Sequence, residues 1–202
     1  LLHLLTPSND LNMYTRSKRK YEKKNNTNES NFKKFNNNKM IYKGELNSTK
    51  PNGICKLFYP SGNIYEGECK DGNKHGKGKY ILADGTVHIG EYKSNLMNGI
   101  GTIIWSDGTI YQGYWKDDID IGDCKIIYTD GCIYIGECII ENLTVNGEFS
   151  YVNGDVYIGD IKNHKSNGLG IMYYSDGPIY QGDWKDGIRY GNGKFTWNDG
   201  TV

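Results

Sequence analysis

Proline is scarce in this chain, with 4 among 202 residues. No apolar run approaches the roughly 18–20 residues that a membrane-crossing helix needs. Paired catalytic motifs are missing too. The four histidines, His3, His75, His88 and His164, have no nucleophile motif or metal-ligand spacing around them. The Gly-x-Gly pairs are framed by neither a P-loop nor a dinucleotide-binding fingerprint. Asp117-Asp118-Ile119-Asp120 lacks the remaining ligands of an EF-hand. These absences point away from catalysis, a cofactor, a metal or a small-molecule substrate. Net charge is zero, 24 basic against 24 acidic residues, which excludes nucleic-acid binding by bulk charge. The five cysteines, Cys55, Cys69, Cys124, Cys132 and Cys138, are odd in number and lack Cys-x-x-Cys spacing. With no signal peptide in view they read as free thiols in a reducing compartment. The first residue is Leu1 rather than Met, which reads as a cut start or a piece of a longer chain.

Glycine is what the chain has in excess: 27 residues, roughly twice the usual share of about 7%. Collagen is excluded, because the glycines do not recur every third residue. A flexible linker is excluded by 17 tyrosines and 4 tryptophans. A glycine inside regular structure costs roughly 0.5–1 kcal/mol relative to alanine, so geometry must require most of them.

The requirement is a repeat. From Tyr42 to Val202 the chain divides without a gap into seven units of 23 residues: 42–64, 65–87, 88–110, 111–133, 134–156, 157–179 and 180–202. Position 1 of the unit is Tyr except at His88, and position 4 is acidic except at Tyr114. Position 3 is always glycine: Gly44, Gly67, Gly90, Gly113, Gly136, Gly159 and Gly182. So is position 21: Gly62, Gly85, Gly108, Gly131, Gly154, Gly177 and Gly200. Position 12 is glycine except at Val145, and position 14 except at Cys55 and Cys124.

Positions 20–21 read Asp-Gly in five units, a pair that tolerates positive φ at both central residues of a type I′ hairpin turn. A two-residue turn there sets position 18 opposite position 23, pairing Tyr59 with Ile64, Trp105 with Ile110 and Tyr128 with Ile133. In that register positions 16, 18 and 23 share one face, and positions 1, 3 and 5 lie on the other, with a ring over the bare glycine at position 3. A lone hairpin is marginal in water, so each unit must stack on its neighbours. The expected fold is all-β: an elongated single antiparallel sheet of seven stacked hairpins, a rod roughly 65–70 Å long.

The unit resembles the MORN (membrane occupation and recognition nexus) repeat, whose motif runs Tyr-x-Gly-Glu-Trp-Lys, then Gly-x-Gly, then an Asp-Gly turn. Tyr65-Glu66-Gly67-Glu68-Cys69-Lys70-Asp71-Gly72, followed by Gly76-Lys77-Gly78 and Asp84-Gly85, carries the likeness, as does Tyr180-Gln181-Gly182-Asp183-Trp184-Lys185-Asp186-Gly187. The resemblance implies an elongated sheet used for dimerisation and partner docking. It also implies placement in membrane junctions, radial spokes or budding scaffolds, or beside lipid-kinase or SET methyltransferase domains. Phosphoinositide binding is ascribed to such arrays. The departures His88, Tyr114, Cys124 and Val145 fall in the middle units.

Residues 1–41 contain no glycine and carry 9 basic against 3 acidic residues, while 42–202 carry 15 against 21. This first segment, rich in Asn and Lys, is expected to be disordered. Its Arg16, Lys18, Arg19, Lys20, Lys23 and Lys24 are candidates for contact with an anionic membrane; a nuclear signal or a plain solvated tail reads equally. Positions 6–11 are expected to form a loop that opens with Lys and a small polar residue. Unit five instead has Ile139 and Ile140, followed by Leu143 and Val145, a candidate patch for a partner or a second copy, with folding back onto its own sheet as the other reading. The functional expectation is a non-catalytic scaffold for protein interaction or dimerisation, at the cytoskeleton or the cytoplasmic face of a membrane. Anionic-phospholipid binding, or an accessory role beside a lipid kinase or methyltransferase, is the alternative. Further repeats can follow Val202.

Overall fold

Two turns per unit, of different kinds, set the register of the sheet. The computed structural model describes residues 33–35, 40–47, 50–138 and 144–202. The chain divides into two units, Leu1–Lys33 and Lys34–Val202, and the second holds the repeats. Its strands are β1 (Lys33–Phe35), β2 (Met40–Asn47), β3 (Lys50–Phe58), β4 (Ile64–Lys70), β5 (Asn73–Ile81), β6 (Val87–Lys93), β7 (Leu96–Ile104) and β8 (Ile110–Lys116). They continue with β9 (Ile119–Ile127), β10 (Ile133–Glu137), β11 (Thr144–Ser150), β12 (Val156–Lys162), β13 (Lys165–Tyr173), β14 (Ile179–Lys185) and β15 (Ile188–Thr196). One sheet takes all fifteen in chain order. Each 23-residue unit supplies two strands, as expected; β1 is an addition that the repeat did not announce.

The type I′ turn lies at positions 7–8, inside the segment expected to be a loop. Asp71 and Gly72 have φ of +52° and +85°, and Asp117 and Asp118 have +52° and +66°. The same holds at Ser94-Asn95, Asn163-His164 and Asp186-Gly187. Two residues with positive φ let the right-handed strand twist continue through the turn.

The expected type I′ turn at positions 20–21 is corrected. There the loop has three residues, and only the last, the invariant glycine, has positive φ; Gly62 is at +88°. Gly62 N–H donates to the Tyr59 carbonyl at 3.0 Å, and Tyr59 N–H donates to Asn63 at 2.9 Å. The Asp of the Asp-Gly pair accepts the N–H two residues on, as in Asp84 to Thr86 at 2.8 Å and Asp107 to Thr109 at 2.8 Å. The dipeptide is therefore an Asx-turn followed by a left-handed glycine.

One extra loop residue moves the register by one. Position 17, not 18, faces position 23, as in Phe58 with Ile64, and position 16 faces position 1, as in Leu57 with Tyr65. A one-residue slip exchanges the two faces of a strand. Positions 1, 5, 16 and 18 consequently share a single face, which gathers the repeated rings, while Phe58, Tyr114 and Tyr173 lie on the other. Tyr42, Tyr65, Tyr134 and Tyr157 are wholly buried there. Burying a side chain of this kind contributes about 1.5–3 kcal/mol. Edge-to-face pairs such as Tyr65–Tyr92, with centroids 5.4 Å apart, add about 0.5–1.5 kcal/mol.

The glycines serve this ring layer. Gly67 faces Gly78 across the hairpin. A Cβ on Gly78 would lie 2.3 Å from the Tyr65 hydroxyl, so the ring lies across the glycine at position 14. A Cβ on Gly67 would instead meet backbone, the Gly78 Cα at 2.4 Å and the Lys77 carbonyl at 2.5 Å. Position 3 is thus closed chiefly by the neighbouring strand, with the Tyr65 hydroxyl also at 2.8 Å; at Gly113 the nearest atoms are those of the Tyr111 ring, so the expected ring over position 3 holds there.

Between these glycines and the turn the strand bulges, with positions 11–13 opposite position 4 alone. The bulge needs partners, and the motif residues provide them. The position-1 hydroxyl donates to the position-4 carbonyl: Tyr65 to Glu68 at 2.7 Å, Tyr134 to Glu137 at 2.6 Å and Tyr157 to Asp160 at 2.7 Å. The position-4 carboxylate accepts the free N–H at position 13: Glu68 from Lys77 at 3.0 Å, Asp160 from Leu169 at 3.0 Å and Asp183 from Asn192 at 2.8 Å. Tyr-x-Gly-acid is therefore a bulge clamp.

Candidate partner-binding surface

The ring face is continuous and only partly covered. Position 18 contributes Tyr59, Trp105, Tyr128, Tyr151, Tyr174 and Trp197, each where strand meets three-residue turn and each held by that turn's backbone hydrogen bonds. Three of them pack against position-16 rings: Tyr59 edge-on to Tyr80 at 5.7 Å, Tyr128 stacked on Phe149 at 5.6 Å and Tyr174 tilted on Phe195 at 6.0 Å.

From the end of unit four to unit seven this layer opens into a shallow groove of about 690 Å³. Met172, Tyr174, Tyr151 and Trp184 form its floor and walls, and Asp130, Asp155 and Arg189 its polar rim. A second hollow beyond Arg189 is lined by Tyr180, Tyr190, Phe195 and Trp197. The Arg189 guanidinium stacks over both Tyr180 and Phe195, at 5.4 and 5.3 Å. Asp155 accepts the Ser175 N–H at 2.8 Å, which holds its carboxyl below the usual range and keeps it charged. The surface thus combines flat apolar rings with one cation and fixed anions, the chemistry of protein recognition.

At the other end of the array Lys74 lies over Tyr80 at 3.9 Å and Tyr92 at 4.9 Å. Burial lowers its pKa. Burial and then the Lys74 charge lower that of His88, whose ring packs edge-on against Tyr80. His88 stands in for the position-1 ring, as its place in the repeat suggests. Among the described residues no three His, Cys, Asp or Glu side chains are grouped as a metal site.

Free thiols do not hold throughout. Cys55 and Cys69 form a disulfide, with Cα atoms 6.0 Å apart, while Cys124, Cys132 and Cys138 are not disulfide-bonded. The slipped register placed Cys55 and Cys69 on opposite faces and concealed the pair.

Of the candidate patch in unit five, Val145 is buried and faces Ile161. Ile139, Ile140 and Leu143 lie outside the described residues, as do Arg16, Lys18, Arg19, Lys20, Lys23 and Lys24. The ring groove itself was missed at the sequence level. Its signal was present in the aromatic residues of positions 16 and 18, but the one-residue slip separated them from position 1.

The MORN repeat family model matches residues 42–64, 65–87, 88–110, 157–178 and 180–202, more than half of the chain. The chain belongs to the MORN repeat family. Units four and five, which the family model passes over, hold Tyr114, Cys124 and Val145. No curated protein matches the MORN chain in sequence. Among solved structures it is similar to the TCP10 domain of Danio rerio CPAP, with TM-score 0.52 and 11% identity over 84% of this chain and 79% of that one. It is also similar to the Drosophila melanogaster SAS-4 (dCPAP) TCP domain, solved with a proline-rich motif of Ana2. That match has TM-score 0.47 and 16% identity over 74% of this chain and 81% of that one. At 11% identity the likeness to the Danio rerio domain is one of fold alone. The repeats make this chain an array of the scaffold type.

Proposed function

We propose that this MORN array is a non-catalytic scaffold that docks a protein partner on its ring face, at the cytoskeleton or the cytoplasmic side of a membrane. The observation that supports this most is the groove over Tyr151, Met172, Tyr174 and Trp184 with Arg189 at its rim. It is shallow and elongated across units, which suits an extended peptide segment better than an enclosed small molecule. Apolar side chains of the partner would lie on the rings, and a carboxylate would meet Arg189. Repetition of weak sites along one sheet raises affinity through avidity.

The test is partner capture by the purified chain, compared with Trp197→Ser combined with Arg189→Glu. Trp197 is 56% exposed and Arg189 is exposed, so the double variant should fold as the parent does. Capture should fall at least tenfold; undiminished capture by the folded variant rejects the groove and the adjoining hollow, which share Arg189, as the docking site.

A second reading rests on the position-6 lysines, Lys70, Lys93, Lys116, Lys162 and Lys185, which end their strands beside the type I′ turns on one edge of the sheet. Such a row, together with the basic segment before the repeats, suits an anionic lipid surface. Flotation with anionic vesicles that collapses between low and high salt supports it. The apolar segment Ile139-Ile140 with Leu143 is proposed as a further partner or self-association contact. Ile139→Lys with Ile140→Asp, leaving assembly and capture intact in a folded chain, removes that contact from the account.

A further inference from the structure

Cys124 and Cys138 repeat the relation of Cys55 to Cys69. Cys55 is position 14 of its unit and Cys69 is position 5 of the next, fourteen residues on. Cys124 and Cys138 occupy the same two positions at the same separation. These are the two units whose position 14 departs from glycine, and both are followed by cysteine at position 5. Units four and seven instead have tryptophan at position 5, packed onto the glycine of the preceding unit. Trp184 donates its indole N–H to Gly170 O at 3.3 Å, and a Cβ on Gly101 would lie 2.9 Å from Trp115. Ring over glycine and cysteine over cysteine are thus two ways of filling the same space.

The local geometry agrees. In the bonded copy Cys55 faces Gly67, and Cys69 sits two residues further along β4, on the same face. In the second copy Cys124 faces Gly136, and Cys138 stands two residues further along, its N–H on Gly122 O at 3.1 Å. The Cys138 thiol donates to Gly122 O at 3.0 Å and lies 3.1 Å from the Tyr111 hydroxyl, with the Cys124 thiol close enough to act on its pKa. Both copies are buried, at 3% and 4% exposure for the disulfide-bonded pair and 3% and 7% for Cys124 and Cys138.

We propose that Cys124 and Cys138 are a redox site: under a peroxide oxidant they close into a second inter-unit disulfide, joining units four and five as Cys55–Cys69 joins units one and two. One thiol, as thiolate, attacks a peroxide oxygen; the O–O bond breaks, leaving a sulfenic acid and one water. The other thiol attacks the sulfenic sulfur, the S–S bond forms, and the second water departs. Two thiols lose two electrons and two protons, and hydrogen peroxide becomes two waters. Tyr111 retains Asp120 as a partner, at 2.9 Å, once the sulfur is engaged. Cys132 is a poor competitor. It lies at the turn, about four residues or roughly 13 Å along the strand from Cys124, beyond the reach of an S–S bond.

The experiment uses the purified full chain with and without hydrogen peroxide, then denatured and alkylated by a maleimide without reduction, digested and read by mass spectrometry. The expected result is a fall from three maleimide adducts to one, on Cys132, with a new peptide linking Cys124 to Cys138 that dithiothreitol removes. In Cys138→Ser two adducts should persist before and after peroxide, with the Cys55–Cys69 link unchanged. Amide exchange in β9 and β10 should slow at least severalfold after oxidation in the parent and not in Cys138→Ser. Three adducts retained after peroxide, a link through Cys132, or sulfinic and sulfonic products without the 124–138 link would each overturn the proposal.

Discussion

Two glycines that face each other across one hairpin should respond differently to a single methyl group. Gly159 is position 3 and Gly170 is position 14 of unit six. A Cβ on Gly159 would lie 2.4 Å from Leu169 O and 2.5 Å from the Gly170 Cα. Both are backbone atoms of β13, so relief requires β12 and β13 to separate by about 1 Å and weaken several ladder hydrogen bonds of about 1 kcal/mol each. The expected cost of Gly159→Ala is about 4 kcal/mol or more, at the extreme of single substitutions. The nearest atoms to a Cβ on Gly170 would all belong to the Tyr157 side chain, with the hydroxyl at 2.3 Å. The ring can swing aside, losing its bond to Asp160 and part of its burial, about 2–3 kcal/mol together. Unit four shows the outcome: with Cys124 at position 14, Tyr111 directs its hydroxyl to Asp120 and Cys138. Urea unfolding followed by circular dichroism measures both costs, provided the m-value is unchanged. Tyr157→Leu should recover part of the loss in Gly170→Ala and none in Gly159→Ala. Equal costs, or the reverse order, would refute the assignment of the ring to position 14 and of the backbone to position 3.

The remaining expectations concern single side chains. Trp184 donates to Gly170 O, whereas the Trp115 Nε1 is buried without a partner; Trp184→Phe should cost about 1 kcal/mol more than Trp115→Phe by the same unfolding assay. Asp160→Ala leaves the Leu169 N–H of the bulge without its acceptor and should cost about 1–3 kcal/mol. His88 has a folded pKa below its ordinary value, so the unfolded state binds more protons as pH falls through about 6.5. Stability is therefore full above that pH and declines below it, and His88→Tyr should flatten that decline between pH 7 and 5. Reducing Cys55–Cys69, which closes a fourteen-residue separation, should lower stability by about 3 kcal/mol on the chain-entropy model, measured as a shift in urea midpoint.

The sequence carried the unit, its length, the strand count per unit and the invariance of positions 3 and 21. These are local properties, since glycine and Asp-Gly act through their own backbone. What it did not carry was the choice between two hairpin turns, because Asp84-Gly85 and Asp71-Gly72 are the same dipeptide in different roles. In the first the Asp caps an N–H and only the glycine has positive φ; in the second both residues do. That choice changes the loop by one residue and therefore exchanges the faces of the sheet. The ring groove, the diagonal Cys55–Cys69 pair and the bulge clamp all depend on it, and so were hidden together. The acidic residue at position 4 was visible as a pattern, but its partner, the position-13 N–H, appears only once the bulge is in place.

Photo-cross-linking from opposite faces of the sheet tests the docking account most directly. A photoreactive residue at Val152, 67% exposed at the ring groove, is compared with one at Ile54, 68% exposed on the other face. The account predicts that a partner from the source cells cross-links at Val152 and not at Ile54, and that free competitor array abolishes the product. Cross-linking at Ile54 alone, or equally at both positions, would contradict it.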